Sequence, residues 1–235
     1  MTIGFLYPGH SAEDDYPVLA DLTGEPLRVA HTDIGEDAHR MDALLRMGAL
    51  PRLTAALVEL PEVDAVVWAC TSASFVYGWD GALEQVRELS AAAGVPASST
   101  SFAFAHAAHA LGVTRLAVAA TYPADVAGMF AEFLKAAGAQ VLSTRARGIV
   151  TAAEVGTLGR AEVVELARAG DHPDAEAVLL PDTALHTAAH LTALEEALGK
   201  PVLTANQVTV WEGLRLVGRT VGERPELGAL FAAGG

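Results

Sequence analysis

The single cysteine of the chain, Cys70, is followed at once by Thr71 and Ser72 and then, after Ala73, by Ser74. A thiol can attack an electrophilic carbon, or carry a proton to or from one. Hydroxyl residues at this point read as the start of a helix, with unpaired backbone N–H groups and a partial positive charge. That setting suits a carboxylate and lowers the pKa of a neighbouring thiol. A second constellation follows in the later part of the chain, Asp182-Thr183. A carboxylate there can give and take protons. Thr71, Ser72 and Thr183 can donate hydrogen bonds to a substrate carboxylate or to the negative charge that develops on it. Plain helix capping also accounts for the hydroxyls and for Asp182, and the two roles are compatible. A lone buried cysteine can equally be an inert small hydrophobe.

Both constellations need a scaffold, and the flanking residues supply one. Ala65 to Ala69 is a short apolar run bounded by Glu62 and Asp64, which predicts a buried strand ending at Cys70. Ala177 to Leu180 predicts another, ending at Pro181-Asp182. Further strands are expected at Thr2–Tyr7, Leu27–Ala30, Arg115–Ala120, Gln140–Thr144 and Pro201–Thr204. Helical spacing is read over Asp37–Leu60 with a break before Pro51, and over Trp79–Ala93, Thr100–Leu111 and Ala124–Ala137. It continues over Ala152–Ala169, Thr187–Leu198 and from Asn206 to Leu216, while the polar segment from Ser11 to Asp37 reads as a surface crossing. Strands alternating with helices mean an α/β fold with mostly parallel sheet flanked by helices.

The order contains a repeat. Ile3-Gly-Phe-Leu-Tyr-Pro8 is similar to Leu116-Ala-Val-Ala-Ala-Thr-Tyr-Pro123, and the Cys70 segment is similar to the Asp182 segment. Nearly the same stretch of chain separates Tyr7 from Cys70 as separates Tyr122 from Asp182. Two pseudo-symmetric halves, residues 1–112 and 113–235, would set Cys70 and Asp182 across a cleft. The helix ending the first half is free to pack on the second, and the C-terminal helix is free to cross back.

Composition narrows the function. The net charge of −14 argues against nucleic acid as a partner. No run of about 20 apolar residues predicts a membrane span, and the N-terminus has no signal-peptide pattern. One cysteine forms no internal disulfide, which fits a cytoplasmic location. No GxGxxG or GxxxxGK[ST] follows the first strand, and no GxSxG occurs. His106/His109 and His186/His190 have helical spacing but no third ligand, so no metal is expected.

Three segments in this order and spacing carry a resemblance: Ala69-Cys-Thr-Ser-Ala-Ser-Phe-Val-Tyr-Gly78, Ala120-Thr-Tyr-Pro-Ala-Asp-Val126, and Asp182-Thr-Ala-Leu-His186 with Gly199-Lys-Pro-Val-Leu-Thr-Ala-Asn-Gln207. The chain resembles the aspartate/glutamate racemase superfamily, in the branch of maleate cis-trans isomerase and arylmalonate decarboxylase. The resemblance implies two Rossmann-like halves, no cofactor, and a small carboxylate substrate in the cleft between them. It also implies catalytic roles for Cys70 and for the position of Asp182, where the family usually has a second cysteine. The decarboxylases have glycine at the first position and rely on the second cysteine, whereas the isomerases use the first cysteine as nucleophile. Substrate contacts are expected from Pro8, Thr71, Ser72, Tyr122, Thr183 and Asn206, with cleft walls near Ile34–Arg40 and Ile149–Ala153. The expectation is a maleate isomerase-like enzyme, possible also as a homo-oligomer. The alternatives are an arylmalonate decarboxylase-like lyase, an amino-acid or hydantoin racemase, and a non-catalytic carboxylate-binding protein.

Overall fold

The computed structural model describes residues 1–60, 62–222 and 224–232. The first half runs β1 (Ile3–Pro8), α1 (Asp15–Thr23), β2 (Leu27–Thr32), α2 (Met41–Met47), α3 (Leu50–Ala56), β3 (Ala65–Trp68), α4 (Ser72–Phe75), α5 (Gly78–Ala93), β4 (Ala97–Ser99) and α6 (Thr100–Ala110). The second runs β5 (Arg115–Ala120), α7 (Ala124–Ala136), β6 (Gln140–Ala146), α8 (Ala152–Val155), α9 (Arg160–Gly170), β7 (Ala177–Leu180), α10 (Leu191–Leu198), β8 (Val202–Thr204), α11 (Ala205–Leu216) and α12 (Ala229–Ala232). The strands form two four-stranded sheets, ordered β2-β1-β3-β4 and β6-β5-β7-β8. Every pairing is parallel. The repeat read from the sequence is thus a repeat of topology.

Parallel strands need both faces covered, and the strands read accordingly. Ala65, Val66, Val67 and Trp68 are all buried. In the second sheet the alternation sorts residues between two cores. Ala117, Ala119, Val178 and Leu180 pack with Val163, Leu166 and Leu194, while Leu116, Val118, Ala120 and Leu179 join the core that also holds the first sheet.

The helix α11 itself makes a close approach to the first sheet. A side chain at Gly213 would bring its Cβ to 2.6 Å from Ile3, so only glycine lets the helix lie so near β1. Thr204 and Gln207 start this helix, with the Gln207 side chain accepting the Thr204 N–H at 3.1 Å. Thr209 bonds Thr100 at 2.6 Å, and Glu212 accepts the Ser98 hydroxyl at 2.6 Å. A helix of the later half therefore covers the earlier sheet.

Three expectations change. The crossing from Ser11 to Asp37 contains α1, whose Tyr16 and Leu19 are buried. Its Asp and Pro residues read as loop, but Pro17 lies in the first helical turn, where proline costs little. The helix expected over Ala152–Ala169 is two, interrupted by Gly156 and Gly159. The helix expected from Thr187 begins as a single 3-10 turn, Ala188–His190, before α10.

Candidate active site

In both halves the chain reverses direction across the sheet between the first and third strands, β1/β3 and β5/β7. Such switch points open a crevice at the carboxyl ends of the strands. Cys70 lies just past β3 and Asp182 just past β7. Pro8, Gly9, Cys70, Ser72, Asp182 and Thr183 all line one cleft of about 440 Å³. The thiol and the carboxylate, one from each half, thus face the same space.

The local surroundings of Cys70 overturn the expectation of a lowered pKa. The helix after it, α4, has only four residues, is bent at Ala73, and Thr71 does not cap it. Burial pushes the thiol up to about 12, and the Ala73 N–H and Ser72 hydroxyl offset this only in part. The Ser72 oxygen stands 3.8 Å from the sulfur. Cys70 therefore rests as a neutral thiol. At pH 8 a free cysteine is about one-quarter thiolate, whereas burial keeps Cys70 protonated. Iodoacetamide is expected to alkylate the folded chain far more slowly than the urea-unfolded chain at that pH, with the folded rate still rising above pH 10. As this is the only cysteine, the mass shift reports it alone. A rate that levels off below pH 8 would contradict the neutral thiol.

Asp182 is 4% exposed. It accepts the Thr121 hydroxyl and, at 2.9 Å, the Ala184 N–H. These bonds fix the carboxylate at the turn after β7. The turn is held from the other half as well. Tyr7 on β1 donates its phenolic proton to the Thr183 carbonyl at 2.8 Å and accepts the Ala12 N–H at 3.0 Å. Asp15, on the helix the sequence reading missed, accepts the Thr187 N–H at 3.0 Å and the Ala188 N–H at 3.2 Å. Burial raises the Asp15 carboxyl pKa, and bonds from Asn206, Thr187 and Ala188 counter it.

Pro8, Ser72 and Thr183 stand on the cleft wall. Three other residues expected at the substrate stand behind it. Thr71 is fully buried, and its hydroxyl has no partner among the described residues. Tyr122 gives its phenolic proton to the Pro181 carbonyl at 2.8 Å, because its ring is buried against Phe75 and His39. Asn206 donates to Asp15 at 2.9 Å and to the Thr183 carbonyl at 3.2 Å. Tyr122 and Asn206 thereby shape the Pro181–Thr183 turn.

Sequence reading placed the outer walls near Ile34–Arg40 and Ile149–Ala153. Ile34, Asp37, His39, Ala152 and Ala153 line the cleft there. Asp37 accepts the N–H groups of Ala152 and Ala153 at 2.7 and 3.0 Å, clasping the two walls together. His39 is a residue the sequence did not single out. Its Nδ1 bonds the Ile149 carbonyl at 3.1 Å, which fixes the proton on that nitrogen in the neutral ring. No periodicity marks such a residue; only the fold brings it to the wall. The histidine pairs weighed as metal ligands are engaged elsewhere, His106 with Glu212 at 2.9 Å and His186 with Asp14 at 3.0 Å.

Comparison with known proteins places this geometry. A family model described as arylmalonate decarboxylase matches residues 50–231. The chain belongs to the arylmalonate decarboxylase family. The arylmalonate decarboxylase of Bordetella bronchiseptica is 32% identical over 142 residues, which cover 60% of this chain and 59% of that protein's length. Among solved structures, a liganded arylmalonate decarboxylase variant superposes with a TM-score of 0.85 at 25% identity over 98% of each chain. In that variant one glycine is replaced by cysteine and one cysteine by serine. The maleate isomerase of Pseudomonas putida with maleate gives 0.90 at 18% identity over 99% of this chain and 98% of that one, a likeness of fold. A maleate cis-trans isomerase variant of Nocardia farcinica, holding a covalent succinylcysteine intermediate, gives 0.82 at 21% over 98% and 97%. The resemblance read from the sequence to this branch, and the paired α/β halves it implied, are both borne out. Among the described residues no helix is long and apolar enough to cross a membrane.

Proposed function

We propose that this member of the arylmalonate decarboxylase family is a cofactor-independent isomerase of a small unsaturated dicarboxylate. The observation that carries the reading is the pair of buried side chains, Cys70 and Asp182, brought from the two halves to one cleft. Sulfur and a proton add across the double bond. The Cys70 sulfur forms a bond to one alkene carbon, and Asp182 passes the proton that the thiol gives up to the other. The resulting single bond rotates. Asp182 then takes a proton back, the carbon–sulfur bond breaks, and the double bond reforms in the trans geometry with the thiol restored. A resting thiol holds the proton this net addition requires. Ser72, Thr183 and His39 offer hydrogen bonds to the carboxylates and to the charge that gathers on them during addition. The covalent succinylcysteine of the Nocardia farcinica relative is an adduct of the same kind.

A second reading, decarboxylation of a substituted malonate, is favoured by the apolar wall of Ile34, Leu44 and Met47 and by the family match. Loss of CO2 leaves its electron pair on the remaining carboxylate as an enediolate. The Cys70 thiol then protonates the α-carbon from its own face, and water restores the thiol. Proton NMR in D2O, with maleate and a series of arylmalonates offered separately, distinguishes the two. Conversion of maleate to fumarate is the expected result. An α-deuterated arylacetate plus bicarbonate, with maleate untouched, establishes the second reading instead, and silence with both substrate sets overturns both.

A further inference from the structure

At the mouth of the cleft, three side chains from separate parts of the first half converge. His10 follows the turn at Gly9, whose φ of +71° bends the chain as it leaves β1. Glu13 lies in the next turn, ahead of α1, and His31 lies on the edge strand β2, paired beside Tyr7. The Nδ1 of His10 is 3.1 Å from one oxygen of Glu13, and the Nε2 of His31 bonds that same oxygen. All three donor atoms lie within 4.8 Å of one another. Among the described residues these atoms bond only each other. His10 is exposed, while Glu13 and His31 are half-buried, so solvent reaches the cluster.

We propose that His10, Glu13 and His31 form a binding site for a divalent transition-metal ion of the zinc class at the mouth of the cleft. Two imidazoles and one carboxylate suit zinc, cobalt or nickel and are poor ligands for calcium or magnesium. Sharing an ion at about 2.0–2.2 Å requires the Glu13–His31 contact to open and the exposed His10 ring to turn toward the same point, both side-chain rotations. The scaffold is firm: His31 is fixed by the β1–β2 pairing, and His10 and Glu13 flank the turn whose Ala12 N–H is held by Tyr7. The bound ion would pin the His10–Glu13 turn to β2, and so fix one lip of the cleft. It takes no part in the thiol addition, and the site does not depend on which substrate the cleft takes. The sequence reading expected no metal because it weighed histidines at helical spacing. Here only His10 and Glu13 are three apart; the third ligand, His31, is brought in by the fold.

The test uses the full chain carrying Cys70→Ala, which removes the thiol as a competing ligand. Zn2+ is titrated against a chromophoric chelator, and the melting temperature is followed with and without the ion. Expected are one tightly bound Zn2+ per chain, a raised melting temperature, and at least a tenfold weaker affinity after adding Glu13→Ala or His31→Ala. Co2+ in the Cys70→Ala chain provides a check that needs no further variant. Intense visible bands of a four- or five-coordinate ion support the site, while the faint spectrum of hexa-aqua cobalt overturns it. Zinc that does not bind, or binds equally in all variants, also overturns it and leaves the trio as a hydrogen-bonded cluster.

Discussion

Replacing Cys70 by alanine is expected to lower kcat by roughly 10⁴-fold or more with the cleft's substrate, because both readings of the chemistry pass through its sulfur. The fold should survive. The side chain is buried but small, so the loss of packing costs about 1 kcal/mol. Circular dichroism and urea unfolding separate the two effects. A Cys70→Ser variant sharpens the result. Serine keeps a hydroxyl that can hydrogen-bond as the thiol does, yet it neither adds to an alkene nor gives up its proton as readily. Activity in Cys70→Ser near that of the parent would mean that the sulfur only fills space, and the assignment of Cys70 would fall. The neutral resting thiol also sets what a pH profile should look like. No deprotonation of Cys70 is expected to shape activity between pH 6 and pH 9, because its pKa is pushed up to about 12.

The largest change in stability is expected away from the cleft, at Glu212. This carboxylate is wholly buried on α11, yet it is bound on all sides. It accepts from Ser98 at 2.6 Å, from His106 at 2.9 Å, and from Arg215 at 2.7 and 2.8 Å. Burial alone would raise its pKa. The bonds from Arg215, His106 and Ser98 outweigh burial and hold it at about 2. A carboxyl group lowered from its usual range of about 4.5 stabilises the folded chain above that pH. The contribution falls away as pH drops from 4.5 through 2, and its full size is about 3 kcal/mol. Glu212→Gln should therefore cost about 3 kcal/mol in urea unfolding at pH 7, since it leaves Arg215 without its counter-charge. It should also flatten the loss of stability between pH 4.5 and pH 2. A cost below about 1 kcal/mol, or an unchanged acid slope, would show that the network is worth little. The loss would be felt across the halves, because Glu212 and Thr209 tie α11 to Ser98 and Thr100.

From the sequence alone came the strand order, most of the helices, the repeat, and the position of Cys70 and Asp182 at the ends of equivalent strands. These are local matters: an apolar run such as Ala65–Ala69 declares a buried strand, and strand ends gather at one edge of a parallel sheet. Other properties depend on how distant segments pack. Whether Cys70 is thiol or thiolate depends on how completely the surrounding chain excludes water, and a hydroxyl-rich sequence after it does not reveal a four-residue, bent helix. Thr71, Tyr122 and Asn206 look like substrate ligands in a linear reading, but Tyr122 and Asn206 spend their polar groups on the turn that carries Asp182. Helix α1 is weakly patterned because what holds it is distant in sequence, Asp15 reaching the N–H groups of Thr187 and Ala188. His39 leaves no spacing signal, since it meets Ile149 only where one half closes on the other, and the His10–Glu13 pair gains His31 only through the pairing of strands.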